Sequence, residues 1–164
     1  AKAKGLFFAE AIWSRYFESY KLLRQRVDNG DLGDVKEIEL EFGFPLANTE
    51  RLFLKNGGGS TLDLATYTIQ ISLWIFRSEP IKVIAFGKLN DEGLDMELTG
   101  EYHFSNGGVT KFKVSCLNGL SNTAIIKGSK GQMTVSCENM PIYVMRVILK
   151  ENEEVKKRLR FKKA

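Results

Sequence analysis

The sequence predicts an α+β domain in which one open, mostly antiparallel β-sheet carries its helices on a single face. Two observations predict this class: two helix-like segments lie in the first half of the chain, and a run of alternating, strand-like segments fills the second half. Helices that precede consecutive strands usually cover one face of the sheet that those strands form. A chain of 164 residues is long enough for one domain with its own core, and we expect residues 1–164 to form that domain.

The chain opens with a short helical end and an apolar run. Residues 1–5, Ala-Lys-Ala-Lys-Gly, have the pattern of a last helical turn that a left-handed glycine closes. Residues 6–12 are almost continuously apolar, which is typical of a buried parallel strand. A buried strand that lacks the helix before it predicts a domain taken from a longer protein.

Two helices and a strand are predicted next. The apolar spacing over residues 17–27 predicts a helix, which an Asp-Asn-Gly sequence ends. Residues 35–44 alternate between apolar residues and glutamates, so they predict a strand with one buried face. A loop over 45–59 leads to a second predicted helix over about 61–77.

The remaining segments all have strand patterns. They lie over residues 81–86, 94–104, 112–116, 121–128, 132–137 and 141–150. The apolar faces of the second and third segments match only if a three-residue turn joins them, namely Ser105-Asn106-Gly107 with Gly107 left-handed. That register places Glu101 opposite Lys111, a favourable cross-strand pair.

An open sheet of this size leaves one broad face without a helical cover. We expect this face, formed within residues 81–150, to pair with the same face of a second copy in a two-fold homodimer. A face that is simply solvated is the alternative.

Composition and charge argue against several classes of protein. The net charge of +4 comes from the basic segment 150–164, which is typical of a solvated strand or tail, so we expect no nucleic-acid partner. No apolar run approaches the ~20 residues that cross a bilayer, and no signal peptide is visible, so we expect no membrane association and a cytoplasmic location. Cys116 and Cys137 are then expected to be reduced thiols on strands.

Several familiar chemistries have no signal in the sequence. The single histidine, His103, falls on the polar side of a predicted strand, and no ligands cluster near it, so we expect a surface residue and no metal site. No G-x-G-x-x-G follows a strand, and no G-x-S-x-G occurs.

Residues 57–67, Gly-Gly-Gly-Ser-Thr-Leu-Asp-Leu-Ala-Thr-Tyr, are the most informative segment. Three glycines allow close approach to a ligand, and Ser60 is expected to cap the helix. Asp63 and Tyr67 lie four residues apart on that helix, and a carboxylate beside a phenol suits proton transfer to a hydroxylated substrate. The same residues also fit a structural interpretation, in which Ser60 and Asp63 form a capping box and Tyr67 is a core aromatic.

Four segments together carry a resemblance to a known family. They read Glu-Ala-Ile-Trp-Ser-Arg at 10–15, Gly-Asp-Leu-Gly-Asp at 30–34, the glycine-rich segment 57–67, and Ser-Asn-Thr-Ala at 121–124. From about residue 6 to residue 135 the chain resembles the Gfo/Idh/MocA oxidoreductases, and within them the dimeric dihydrodiol dehydrogenases that are also described as NADP-dependent D-xylose dehydrogenases. The resemblance implies a C-terminal substrate-binding and dimerisation domain whose N-terminal Rossmann partner binds NADP.

The resemblance also implies roles for single residues. Tyr67 matches the general acid/base of the family, Asp63 matches the carboxylate that positions substrate and base, and Trp13 matches an aromatic wall of the substrate pocket. A core position remains the alternative for Trp13. For Arg15 we expect a surface ion pair rather than contact with an acceptor. Ala65 stands where many members have glycine.

The implied activity is the NADP-dependent oxidation of trans-dihydrodiols of aromatic hydrocarbons, of D-xylose, or of both. A lysine from the Rossmann domain would complete the site. Because these 164 residues contain no dinucleotide loop, we expect the chain alone to lack activity and nicotinamide binding. The alternative is a family member without catalysis that serves as a binding or oligomerisation module.

Overall fold

The computed structural model describes residues 1–9, 12–46, 49–54, 57–137, 144–151 and 154–162, with side chains up to Ser136. These residues form α1 (Glu18–Asp28) and α2 (Thr66–Phe76), and a π-helical turn at Thr61–Ala65 leads into α2. Short 3-10 turns occur at Lys2–Lys4, Trp13–Tyr16 and Glu50–Phe53. The strands are β1 (Val35–Gly43), β2 (Lys82–Leu89), β3 (Asp95–His103), β4 (Val109–Ser115), β5 (Thr123–Gly128), β6 (Gln132–Cys137), β7 (Val144–Glu151) and β8 (Glu154–Lys162).

The eight described strands form one open sheet in the order β2-β3-β4-β1-β5-β6-β7-β8. Only β1 and β4 run parallel, whereas the other neighbouring pairs are antiparallel. The predicted class is therefore confirmed. The strand pattern did not predict that β1 lies between two antiparallel runs, β2–β4 and β5–β8, because pairing between distant segments leaves no local signal.

The predicted turn between β3 and β4 is confirmed. Gly107 is left-handed, with φ of 80°, and the Phe104 amide donates to the Gly108 carbonyl across a three-residue loop at 2.9 Å. Glu101 consequently lies opposite Lys111. Local turn chemistry thus sets the register of this hairpin.

Both helices cover one face of the sheet, as predicted. The alternate residues Ile38 and Leu40 of β1 are buried and pack with Ile71 of α2 and Leu23 of α1. This core places α2 directly over the central strand. The position of α2 matters most for function because its first turn carries Tyr67 and the π-helical turn that leads into it carries Asp63.

The N-terminal segment corrects one prediction. Gly5 closes the turn Lys2–Lys4 in the left-handed conformation, as expected, with φ of 61°. Residues 6–9, however, are not a buried strand, and Leu6, Phe7 and Phe8 expose 63%, 94% and 79% of their surface. The apolar run predicted burial, but each strand of the described sheet pairs within residues 35–162, so no strand lies beside this segment to bury it.

Three smaller predictions concern single side chains. Cys116 is a free, buried thiol just after β4 rather than on it, and the side chain of Cys137 lies outside the described set. His103 pairs with Glu101 at 2.8 Å on the sheet surface, and no group of metal-ligating side chains occurs in the described part of the chain. The helices described here are all too short or too polar to cross a membrane.

The open face carries a charge network at its centre. Glu37 of β1 pairs with Lys111 at 2.6 Å and Lys127 at 2.9 Å, and Lys127 also pairs with Glu39 at 2.7 Å. The face was predicted to lie wholly within residues 81–150, and this is wrong because β1 forms its middle. The hydrogen bonds from Lys111 and Lys127 lower the pKa of Glu37 from its usual 4.5 to about 2.

We expect the stabilisation from Glu37 to depend on pH. Because the pKa is lowered in the folded state, the contribution is complete above about pH 4.5 and disappears as the pH falls towards 2. Glu37→Gln should therefore lower the free energy of unfolding by about 1 kcal/mol at pH 6, and by progressively less between pH 4.5 and 2. Urea unfolding across this range measures it, with Glu41→Gln on the same strand as the control. A deficit that stays constant with pH would contradict the assignment.

Candidate active site

Asp95 of β3 fixes the start of the helical segment that carries the predicted site. Its Oδ2 accepts hydrogen bonds from Ser60 Oγ at 2.8 Å, the Thr61 amide at 2.6 Å and Thr61 Oγ1 at 2.8 Å. The prediction that Ser60 caps the helix is wrong, because the Ser60 side chain makes no capping bond and instead donates to Asp95. The first turn, Thr61–Ala65, is π-helical, a local irregularity that is frequent at functional sites.

The glycines before this turn allow close packing of the chain on itself. A Cβ at Gly58 would lie 2.4 Å from the Leu52 carbonyl oxygen, and one at Gly59 would lie 2.4 Å from Asp95 Oδ1. Gly59 also has a φ of 96°, which favours glycine. At Gly57, by contrast, the space around the Cβ position is open.

Asp63 forms a two-point ion pair with Arg51. Arg51 Nε donates to Oδ1 at 2.7 Å and Nη2 donates to Oδ2 at 3.0 Å. The capping-box interpretation is therefore wrong, since the carboxylate faces a guanidinium and not the backbone of Ser60. The bond to Asp63 raises the pKa of Arg51. The sequence did not predict a role for Arg51, because a single arginine in a loop belongs to no pattern that indicates its partner.

Tyr67 and Trp13 are in direct contact. The Trp13 indole Nε1 donates to the Tyr67 hydroxyl at 2.8 Å, and the two ring centroids lie 5.8 Å apart in an edge-to-face arrangement. The ring of Phe42 on β1 also packs against the Tyr67 ring, with the two centroids 5.1 Å apart. The structure thus brings together two predicted residues 54 positions apart and adds Phe42, which the strand pattern placed only in the core.

The phenol of Tyr67 favours its protonated form. Burial is the largest cause and raises the pKa of Tyr67; the hydrogen bond from Trp13 lowers it, the charge of Asp63 raises it, and Arg51 lowers it. A phenol with a raised pKa can donate a proton near neutral pH, whereas only its phenolate can accept one, and a nearby cation favours that ionised form.

A cavity of about 50 Å³ lies beside these rings. It is mostly apolar, with Trp13, Phe42 and Tyr67 on one part of its lining and Tyr20 and Ile71 on another. Glu41 and Asn122 add polar groups. Asn122 is left-handed, with φ of 52°, and its Oδ1 accepts from the Gly43 amide at 2.8 Å. The arrangement offers an aromatic wall next to a proton donor.

The sequence model of a known protein family, the GFO/IDH/MocA C-terminal domain, matches residues 20–134. The chain belongs to this family. It is similar to trans-1,2-dihydrobenzene-1,2-diol dehydrogenases from Mus musculus, 34% identical over 137 residues, and from Homo sapiens, 33% identical over 141 residues. These matches cover 82% and 81% of this chain but only 41% and 40% of the relatives, so the chain spans about two fifths of their length.

Solved structures share the fold at low sequence identity. A 3-ketoreductase from Actinomadura kijaniata, in complex with NADP and TDP-benzene, has a TM-score of 0.84 at 14% identity and covers 99% of this chain and 51% of that one. An aldose-aldose oxidoreductase from Caulobacter crescentus, complexed with glycerol, has a TM-score of 0.80 at 19% identity and covers 95% and 49%. The sheet with its two helices is thus the architecture of C-terminal domains in this family.

The glycine-rich loop does not fit the phosphates of a dinucleotide. The space beside Gly58 is filled by the Leu52 carbonyl, and the space beside Gly59 is filled by the Asp95 carboxylate. A nearby carboxylate such as Asp95, which accepts the bonds of the helix start, also disfavours an anion there. Within the described residues, this loop therefore forms no phosphate cradle.

We expect loss of the Asp95 carboxylate to weaken the start of the π-helical turn. Asp95→Ala should lower the free energy of unfolding by about 1 to 2 kcal/mol, because it removes a side-chain cap and leaves the Thr61 amide without this acceptor. Urea unfolding measures the change. Asp91→Ala, in the exposed turn before β3, removes a carboxylate from the same region and serves as the control. Equal losses in the two variants would show that Asp95 does not anchor the helix.

Proposed function

We propose that this chain is the substrate-binding and catalytic half of an NADP-dependent oxidoreductase that oxidises a hydroxyl group to a carbonyl. One observation carries the proposal: the Tyr67 hydroxyl lies in hydrogen-bond contact with Trp13, beside an apolar cavity and one turn after Asp63. A polar proton-transfer group next to an aromatic wall suits an alcohol on a ring. The names of the dihydrodiol dehydrogenase relatives support the same reaction class.

We infer that the substrate is a trans-dihydrodiol of an aromatic hydrocarbon or a pentose such as D-xylose. Its ring would lie against Trp13, and the hydroxyl that reacts would face Tyr67. Asp63, paired with Arg51, would accept a hydrogen bond from a neighbouring hydroxyl. The two hydrogen bonds from Arg51 hold the carboxylate in one orientation, which favours a defined substrate pose.

Tyr67, once ionised to its phenolate, would accept the hydroxyl proton as the carbonyl forms and hydride leaves the same carbon. Because burial raises the pKa of Tyr67, the phenol needs a cation close by in order to ionise near neutral pH. Within the described residues Arg51 is the cation that lowers this pKa, but its charge is already shared with Asp63. We propose that a lysine from a Rossmann domain supplies the missing charge. NADP, held by that domain, supplies the hydride acceptor when bound.

We expect Tyr67→Phe in the full-length protein to reduce kcat severely, by about 10²- to 10⁴-fold, because a general acid/base contributes on that order. The affinity for NADP should remain nearly unchanged, since the phenol touches the substrate and not the phosphates. Steady-state kinetics with a dihydrodiol and with D-xylose, together with NADP titration, measure both effects. Tyr16→Phe, an exposed tyrosine on the neighbouring turn, is the control.

Near-normal turnover in Tyr67→Phe would contradict the assignment of this residue. A full-length wild-type protein that binds substrate but shows no turnover with either substrate class would instead support a binding or oligomerisation module. The two outcomes are distinct because the first requires an active enzyme.

We further propose a homodimer through the open face of the sheet. A shallow depression of about 490 Å³ lies on this face and contains both signs of charge, from Glu39, Glu41, Lys111 and Lys113. A surface with both charges side by side can complement a second copy of itself about a two-fold axis. Ile125, half-buried in the same depression, supplies apolar area for the contact.

We expect this chain to sediment as a dimer at micromolar concentration. Ile125→Asp should shift the equilibrium towards monomer. The variant replaces apolar area at the contact with a carboxylate, and the two-fold axis brings the same carboxylate of the second copy to that contact. Val83→Asp is the control, since Val83 is 56% exposed and lies on the opposite side of the sheet, in register with the buried Tyr102. If the wild-type chain were strictly monomeric while the full-length protein was dimeric, the dimer contact would lie outside this sheet and the proposal would be wrong.

A further inference from the structure

A polar cluster beside Tyr67, partly buried at Arg15 and buried at Ser14 and Gln70, has no part in the chemistry proposed above. It consists of Ser14, Arg15 and Gln70. Gln70 lies three residues after Tyr67 on α2, so the two side chains share one side of the helix. Ser14 and Gln70 are only 2% and 4% exposed. A buried amide requires partners for both its ends, so the partners that Gln70 selects are informative.

Gln70 uses both ends of its amide on the 3-10 turn Trp13–Tyr16. Its Nε2 donates to Ser14 Oγ at 3.2 Å, and its Oε1 accepts from Arg15 Nε at 3.0 Å. The Arg15 guanidinium also lies 4.8 Å above the centre of the Trp74 ring. The surface ion pair expected for Arg15 is wrong among the described residues, because this side chain is bound to a neutral amide and an aromatic face of α2.

The turn is a single short 3-10 helix of four residues. Backbone bonds tie its two ends to the flanking chain, from the Arg15 amide to the Ile12 carbonyl at 3.2 Å and from the Phe17 amide to the Ser14 carbonyl at 3.1 Å. Short 3-10 turns have poor hydrogen-bond geometry, so outside contacts largely determine where they lie. The first residue of this turn is Trp13, which donates to Tyr67.

We propose that Gln70 is a positioning residue that keeps the Trp13 indole in hydrogen-bond contact with the Tyr67 hydroxyl. Gln70 makes hydrogen bonds to Ser14 and Arg15, the two residues that follow Trp13. The turn that carries the indole is therefore fixed to the helix that carries the phenol. The catalytic meaning of this contact rests on the proposed function of Tyr67. The contact itself lies within this chain and is measurable without any turnover.

The direct test is the indole N–H resonance of Trp13 in the ¹⁵N-labelled chain. The sequence has two tryptophans, and Trp13→Phe identifies which indole signal belongs to Trp13. In Gln70→Met we expect this signal to move towards the position that it takes in Tyr67→Phe, where the acceptor is absent. An unchanged Trp13 signal in folded Gln70→Met would overturn the proposal.

Two further variants separate positioning from a general loss of stability. Ser72→Ala removes a buried serine that donates to the Thr68 carbonyl on the same helix, and it should leave the Trp13 signal unchanged. Ser14→Ala removes one of the two bonds of Gln70 with little change in volume, and it should move the signal in the same direction by less. This milder variant decides the question if Gln70→Met does not fold.

The second readout is the ionisation of Tyr67, followed by ¹⁹F NMR after incorporation of 3-fluorotyrosine and assigned with Tyr67→Phe. The indole donor stabilises the phenolate, so its loss should raise the pKa. We expect Gln70→Met and Trp13→Phe each to lower the ionisation constant by about fivefold, the worth of one modest hydrogen bond. The double variant that combines Gln70→Met with Trp13→Phe should change the ionisation constant of Tyr67 by no more than Trp13→Phe does alone.

Additive effects in the double variant would overturn the proposal, because Gln70 would then act on Tyr67 by a route other than Trp13. Gln70→Glu keeps an acceptor for Arg15 and for the Ser14 hydroxyl, so it should restore most of the wild-type signal. A Glu variant that behaves like Met would also count against the proposal. None of these results depends on activity, so failure of the proposed enzyme function would leave them readable.

Discussion

The hydrogen bonds of Asp95 to the start of the helical segment are the constraint on which the rest of the site depends. One carboxylate from β3 satisfies the Thr61 amide and both neighbouring hydroxyls, and so ties the first turn to the sheet. Helix starts leave several amides without partners, and a distant side chain can satisfy them as well as a local cap. Because Asp63 and Tyr67 follow within two turns, their positions derive from this anchor.

The other end of α2 is also held by a side chain from a distant segment. Arg24 of α1 donates through Nη1 to the carbonyl oxygens of Trp74 at 2.5 Å and Ile75 at 3.1 Å, and Arg77 ends the helix in the left-handed conformation. A cation at the carboxyl end of a helix is favourable for the helix dipole. The helical segment 61–76 is therefore fixed at its start by Asp95 and at its end by Arg24, with the core beneath it.

Between these ends, α2 contains three buried polar side chains. Thr68, Gln70 and Ser72 are all buried, and each makes a hydrogen bond within the described structure. Satisfied polar groups in a core favour one arrangement over its neighbours, because any shift leaves a donor or acceptor unpaired. This requirement gives α2 a defined rotation about its axis, and that rotation sets the direction of Tyr67.

The sequence by itself determined the features that depend on local chemistry. Alternation along β1, the left-handed Gly107 turn and the ends of α1 follow from residues within one turn or one strand of each other. The sequence also determined the family and the placement of Asp63 and Tyr67 on one helical segment, because both depend on contiguous residues in a fixed order.

Only the tertiary structure decided the features that join distant segments. The acceptor at the helix start is Asp95 and not Ser60, the partner of Asp63 is Arg51, and β1 lies at the centre of the sheet. Burial of residues 6–9 was predicted from their apolar character and is absent, because burial requires a neighbouring surface that the segment does not carry in its own sequence. Periodicity reports which side of an element is apolar, whereas the choice among distant polar partners depends on how the elements pack.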